Sequence, residues 1–311
     1  MKRAFVFPGQ GSQAVGMGAA LSDAFPAARE VFEEVDDALG QKLSVLMREG
    51  PMEELTLTAN TQPALMAHSI AAVRVLEKEA GVRIGEAMFV AGHSLGEYSA
   101  LCAAGALSLS DTARLLRIRG EAMQAAAPVG AGAMAALIGV DLEAAQKAID
   151  AAEGVGVCEI ANDNAPGQVV ISGARERVEA VCAGAKEFGA KLAKLLPVSA
   201  PFHSSLMQPA AERMAEALAE AEIKAPAVPV VANVTAAAET SPDAIRDLLV
   251  KQVTGRVRWT ESVGYMTGKG CEIFVEIGSG KVLSGLIKRI NRDASTANVG
   301  EPSDIEAFAK S

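Results

Sequence analysis

Along the 311 residues, apolar positions follow two different spacings. Short apolar runs at 3–7, 88–92, 228–233 and 272–277 have the length and β-branched content of buried strands. Between them, apolar residues recur every three or four positions, as on one face of a helix. That spacing predicts helices over 26–39, 43–49, 52–55, 62–80, about 95 to 104, 110–126, 206–221, 242–253 and from about 281 to 290. Pro63 then falls in a first turn, where a missing N–H removes no helical hydrogen bond. The dozen residues at the end are polar and are expected to fray. Strands alternating with helices make this an α/β chain. From 128 to about 197 the units shorten: strand 133–138, helix 142–151, strand 156–161, a turn over 162–167, strand 168–172, helix 175–188 and strand 191–196. That βαββαβ order is the split, ferredoxin-like one. Residues 128–197 are therefore expected to form a small inserted subdomain, a lid over a larger discontinuous domain of 1–127 and 198–311.

Composition narrows the function classes. Half the residues are apolar and 22% are charged, an ordinary globular balance. No apolar run reaches membrane-spanning length. The basic Lys2-Arg3 start resembles a leader, but its apolar stretch stops at Pro8, too short for one. Four scattered cysteines (Cys102, Cys158, Cys182, Cys271) lack metal or redox spacing and fit reduced thiols, hence a cytoplasmic location. A net charge of −9 argues against a nucleic-acid or membrane-surface partner.

The chemistry concentrates at Gly92-His93-Ser94-Leu95-Gly96, between an apolar strand and an Ala-rich helix. Gly-x-Ser-x-Gly in that context is a nucleophile elbow: a strained strand-to-helix bend that exposes the serine hydroxyl. The glycines are required because side chains there would meet the flanking strand and helix. The following helix aims N–H groups and its positive dipole end at whatever Ser94 attacks. Of the three histidines, His68 lies beside the buried stripe of its helix and reads as packed. His93 adjoins the serine on a tight turn, where neighbouring side chains diverge. His203, on a loop stiffened by Pro201, is by elimination the candidate general base.

The loop Pro8-Gly9-Gln10-Gly11-Ser12-Gln13-Ala14 matches a dinucleotide fingerprint superficially, without the acidic strand end some twenty residues on. Its other reading is a sharp turn beneath the nucleophile that offers an oxyanion-hole N–H. Gly280-Lys281 lacks the upstream glycine and the Ser or Thr of a phosphate loop. On the helix 110–126, Arg114, Arg117 and Glu121 share a face, and an Arg117–Glu121 pair at i,i+4 accounts for them. Arg119 instead projects from the apolar stripe of Leu115, Leu116 and Met123. It either snorkels to solvent or is a fixed cation awaiting a carboxylate, which a guanidinium grips at two points.

Taken in order, Phe7 to Gln13, Thr61 to Leu65, Gly92 to Tyr98, Arg119, Pro201 to Ser204, Gln252 and Glu276 to Leu283 resemble the malonyl-CoA:acyl carrier protein transacylase family, in register from about residue 4 to 292. The resemblance implies an α/β-hydrolase-like core with a ferredoxin-like insert. It implies Ser94 as the nucleophile that becomes malonylated and His203 as its base. Gln10 and Leu95 match the oxyanion-hole positions, Arg119 the partner of the malonyl carboxylate, and Gln252 a backbone carbonyl that orients the histidine. Phe202 matches a position that favours malonyl over methylmalonyl, and His93 is carried over as substrate-binding. No acidic third member and no metal or bound cofactor is implied; malonyl-CoA is the donor and the phosphopantetheine thiol of acyl carrier protein the acceptor. Ser279 departs from the proline common there, which touches a turn. A monomer acting in fatty-acid rather than polyketide synthesis is expected. Docking of an acidic carrier would need a local basic patch, for which Lys281, Lys288, Arg289 and Arg292 are one candidate and Lys186, Lys191 and Lys194 another. A serine thioesterase, sharing elbow and histidine but releasing the acyl group to water, is the competing expectation.

Overall fold

Residues of one strand here face two different cores. In β1 (Arg3–Phe7), Phe5 and Phe7 join the larger apolar cluster while Ala4 and Val6 join a second one on the opposite face. Such two-sided burial is what a parallel sheet covered by helices demands. The computed structural model describes residues 2–309 other than Val129 and Ser199; Met1 of the leader-like start and Lys310 and Ser311 of the terminal dozen lie outside the described residues. Among the described residues the further strands are β2 (Phe89–Gly92), β3 (Gly132–Ile138), β4 (Cys158–Ala165), β5 (Gln168–Ala174), β6 (Leu192–Leu195), β7 (Val230–Val231), β8 (Ala238–Glu239), β9 (Val257–Arg258), β10 (Ile273–Ile277) and β11 (Ser295–Val299). They form a six-stranded sheet, β11-β10-β1-β2-β7-β8, and a five-stranded sheet, β6-β3-β5-β4-β9.

The first sheet is parallel except for the β7–β8 edge. Its register sets Phe7 opposite Gly92 and Val6 opposite Glu276. The turns leaving β1, β2 and β10 therefore emerge side by side at one carboxyl edge, where open α/β sheets bind their ligands. The second sheet is antiparallel among β3 to β6. β9, which lies in the chain well after β6, adds to it in parallel through Asn162 and Asp163. The sheet thus crosses the boundary expected at residue 197. No helix among the described residues is long and apolar enough to cross a membrane.

Several expectations shift. The helix expected from 62 runs over Thr58–Ala80, so Pro63 sits inside it rather than in its first turn. The preceding turn is tied down by Thr61 Oγ1 and Asn60 Nδ2, which donate to the Leu55 and Glu54 carbonyls. The turn placed over 162–167 shrinks to Pro166-Gly167, because β4 continues through Ala165 with two register irregularities against β5. Up to Ala309 the end of the chain is not frayed: the helix Pro302–Ala309 buries Ile305 and packs on Thr58–Ala80, with Asp304 Oδ2 accepting the Gly300 and Glu301 N–H groups. The helices Ala19–Ala24 and Trp259–Gly268 were not anticipated. Arg117 does not pair with Glu121; it reaches Asn60 and Gln41 on neighbouring elements. Arg289 reaches Gln168 and the Pro166 carbonyl at the β4–β5 turn, so it is not a free member of its basic patch.

Candidate active site

The turn after β2 is held by close backbone approach. A Cβ on Gly92 would overlap the Gly96 carbonyl, and one on Gly96 would overlap the Phe7 carbonyl. The loop after β1 presses equally near, since a Cβ on Gly9 would lie 2.6 Å from the His93 carbonyl oxygen. Between these glycines Ser94 adopts φ 53°, left-handed backbone that a non-glycine residue holds only when its surroundings enforce it. Asn233 supplies that enforcement. Its Oδ1 accepts the Ser94 N–H at 2.7 Å and its Nδ2 donates to the Gly92 carbonyl at 2.7 Å.

The loop after β6 delivers His203, also at positive φ (55°). The Pro201 ring packs where a Gly132 side chain would be, and Ser204 Oγ closes the turn onto the Pro201 carbonyl at 2.7 Å. His203 Nδ1 faces two carbonyl oxygens, Gln252 at 2.9 Å and Gly255 at 3.1 Å. Carbonyls only accept, so the proton is on Nδ1. Nε2 is left as acceptor, 2.8 Å from Ser94 Oγ. Burial first, then the Arg119 charge, depress the imidazole pKa from 6.5 to about 3, so the ring is neutral.

Arg119 is 1% exposed, which removes the snorkelling alternative. Its Nη1 donates to Gln62 Oε1 at 2.7 Å; its Nη2 donates to Gln252 Oε1 at 2.9 Å and to Ser94 Oγ at 3.1 Å. Its face lies over the Tyr98 ring, 5.7 Å from the centroid. These partners are all neutral, Nε has none among the described residues, and no carboxylate there comes within ion-pair distance. A buried guanidinium so placed favours an incoming anion.

One cavity gathers seven of the eight expected residues: Gln10, His93, Ser94, Leu95, Arg119, Phe202 and His203. Gln252 lies directly beneath, touching Arg119, the Ser94 carbonyl and His203. The Leu95 and Gln10 N–H groups find no acceptor among the described residues. Gln10 is itself anchored by Thr58 Oγ1 donating to its Oε1 at 2.7 Å. His93 turns away from the serine, its Nε2 2.8 Å from Asn164 Oδ1 of β4 and its ring tilted against Trp259. Met123, Met134, Val170 and Phe202 form the apolar wall.

Sequence reasoning missed Gln62, Asn233, Asn164 and Glu97. Glu97 lies one residue past Gly96, where the Gly-x-Ser-x-Gly spacing assigns it nothing. Its carboxyl is 2% exposed and is pushed by burial from 4.5 to about 7, against the pull of Asn233, Gln252 and Arg119. Asn233 closes a strand-like run, and nothing in its spacing marks it.

The acyl transferase domain family model matches residues 4–301. A malonyl CoA-acyl carrier protein transacylase of Bacillus subtilis is 50% identical over 308 residues, 98% of this chain and 95% of that protein. Among solved structures, an acyl-carrier-protein-S-malonyltransferase of Bartonella henselae superposes with a TM-score of 0.97 at 56% identity, over 100% of this chain and 99% of its own. A malonyl-transacylase solved in complex with its holo type II PKS acyl-carrier protein superposes at 0.96 with 44% identity, over 100% and 99% of the two chains.

Proposed function

Because the chain belongs to the acyl transferase domain family, among its malonyl CoA-acyl carrier protein transacylases, we propose that it moves malonyl from coenzyme A to a carrier thiol through an ester on Ser94. The observation carrying this reading is that Ser94 Oγ lies 2.8 Å from His203 Nε2 and 3.1 Å from Arg119 Nη2 at the floor of one cavity.

Ser94 Oγ attacks the thioester carbonyl and its proton passes to His203 Nε2. The developing oxyanion takes the Leu95 and Gln10 N–H groups, a donor pair whose members are each worth about 100- to 1000-fold in rate. Coenzyme A leaves as thiol, taking the proton from His203. The phosphopantetheine thiol then gives its proton to His203 and attacks the ester carbonyl, expelling Ser94 Oγ, which takes that proton back from His203, in a ping-pong sequence. The Gln252 carbonyl does for the imidazole what a carboxylate does in a Ser-His-Asp triad: it fixes the tautomer and the ring direction. Before substrate arrives, Arg119 donates to the nucleophile and lowers the basicity of His203. A malonyl carboxylate that draws the guanidinium off and neutralises it reverses both effects, so the acyl group that binds also arms the site.

The strand order β6-β3-β5-β4 supports reading 128–197 as a ferredoxin-like subdomain on an α/β-hydrolase-like core. A monomer in the cytoplasm supplying fatty-acid synthesis, with an acidic carrier as transient partner, completes the proposal. Pre-steady-state release of coenzyme A tests it: one equivalent per enzyme, then no turnover until holo carrier protein is added. Continuous release of coenzyme A and malonate without carrier would identify a thioesterase instead.

A further inference from the structure

Beneath the nucleophile lies a buried carboxyl that this reaction scheme leaves unused. We propose that Glu97 is a positioning residue: by taking the Gln252 amide and the Asn233 backbone N–H, it orients the two amides that hold the Ser94 main chain and Arg119 relative to each other. This rests on reading Ser94 as the acylated residue and Arg119 as the malonyl clamp.

Four distances carry the argument. Glu97 Oε2 accepts the Asn233 N–H at 2.9 Å and Gln252 Nε2–H at 2.8 Å. The second Nε2 proton of Gln252 goes to the Ser94 carbonyl at 3.0 Å, and its Oε1 accepts Arg119 Nη2 at 2.9 Å. A primary amide has two nearly isosteric ends, and only its partners decide which end points where. At Gln252 a guanidinium that can only donate sits on one side, and a carboxylate that accepts when ionised on the other. The amide is thereby locked with its oxygen toward Arg119. Asn233, anchored through its backbone to the same carboxyl oxygen, turns its side chain onto the Ser94 N–H and the Gly92 carbonyl. The N–H and C=O of Ser94, at its strained φ, are thus both held by amides that share one carboxylate. The charged or titratable groups facing Glu97 are Arg119 from the helix Leu109–Ala125, the Tyr98 phenol next in the chain, and His203 across Gln252. The Arg119 and Glu97 charges favour one another through the Gln252 amide. Burial moreover holds the Glu97 carboxyl at about 7, so its charge changes near neutrality while His203, at about 3, stays neutral.

Glu97→Gln keeps the shape and one acceptor oxygen and removes the charge. The experiment is single-turnover acylation of Ser94 in the wild type and Glu97→Gln, with malonyl-CoA and with acetyl-CoA, from pH 5.5 to 8.5. Melting temperatures are recorded alongside. Malonylation in the variant is expected to fall about 10- to 100-fold at pH 8, the order that ångström-scale misplacement costs. Acetylation falls less, the wild-type inflection near pH 7 disappears, and the melting temperature at pH 8 holds or rises. Wild-type malonylation rates in the variant would overturn the role. So would equal losses for both acyl groups with a lowered melting temperature, the mark of a purely structural carboxyl. Should the variant fail to fold, a wild-type profile without an inflection near pH 7 overturns the proposal, and one present only with malonyl-CoA supports it. Absence of any Ser94 adduct in the wild type would instead remove the underlying reading.

Discussion

Two strand-to-helix turns flank β1 on the same edge of the sheet, and they handle the same physical problem in opposite ways. After β10, the left-handed positions are glycines, Gly278 (φ 129°) and Gly280 (φ 82°). The free N–H groups of the next helix are satisfied from within: Glu276 Oε1 accepts the Leu283 N–H at 3.0 Å and Oε2 the Ser284 N–H at 2.7 Å. Asn298 Nδ2 adds a further bond to that carboxylate, and Ser279 Oγ ties the turn to the Ser12 carbonyl. After β2, the left-handed position is borne by a serine, and the nearby carboxylate, Glu97, turns away to Asn233 and Gln252. The Leu95 N–H keeps no partner among the described residues. A helix start capped by a carboxylate of the preceding strand is structure. One left open, beside a hydroxyl held under strain, is where an oxyanion can be stabilised.

Substitutions that exchange the features of the two turns sharpen this contrast. The largest effect is expected from Gly96→Ala, whose Cβ overlaps the Phe7 carbonyl and lies 2.9 Å from that of Pro8. Both are backbone, so the variant should lose about 3 kcal/mol or more of stability with its malonylation. Gly280→Ala meets nothing nearer than 3.6 Å, carries only the strain of its φ, and should cost about 1–2 kcal/mol. Denaturant melts of the two variants separate these cases; equal costs would break the contrast. Next is Arg119→Ala, expected to lower kcat/KM for malonyl-CoA by about 2–5 kcal/mol, roughly 30- to 4000-fold. Acetyl transfer should be spared, and equal losses would remove the clamp role.

Titration gives a smaller, signed effect. His203 is neutral when folded, with a pKa of about 3 against 6.5, so its contribution is present above 6.5 and lost as pH falls toward 3. Glu97 runs the other way: its contribution is full below 4.5 and lost as pH rises to about 7. The two oppose each other between 4.5 and 6.5. Glu97→Gln should therefore steepen the acid loss of stability over that window; an unchanged slope in melts from pH 4.5 to 6.5 would contradict the burial argument. The smallest effect belongs to Glu276→Gln, which weakens a helix cap at about 1 kcal/mol and leaves the malonylation rate unchanged.

What was legible in the chain follows the same division. Apolar periodicity located β1, β2, β10 and the helices 26–39 and 43–49 to within a residue, because burial on a fixed face sets those patterns. Gly-x-Ser-x-Gly marked the turn at Ser94, since close backbone approach there admits only glycine on either side, and the scarcity of histidine singled out His203 by elimination. From periodicity Arg119 was legible only as an anomaly on an apolar stripe, and the family resemblance alone gave it a carboxylate partner. Gln62, Asn233 and Glu97 were not legible as parts of the site, because what joins them is hydrogen bonds across 57, 139 and 155 positions of sequence that no local spacing records. Pro63 misled for a related reason: the turn before it is held by side chains reaching back to Glu54 and Leu55, which extends the helix past its apparent start.

The most direct test of the open, strained turn as the acyl-accepting site is intact-protein mass after brief mixing with malonyl-CoA, for the wild type and Ser94→Ala. A single malonyl adduct is expected on the wild type, absent from the variant and discharged by holo acyl carrier protein. Free malonate with no adduct, or an adduct that survives in Ser94→Ala, would contradict it.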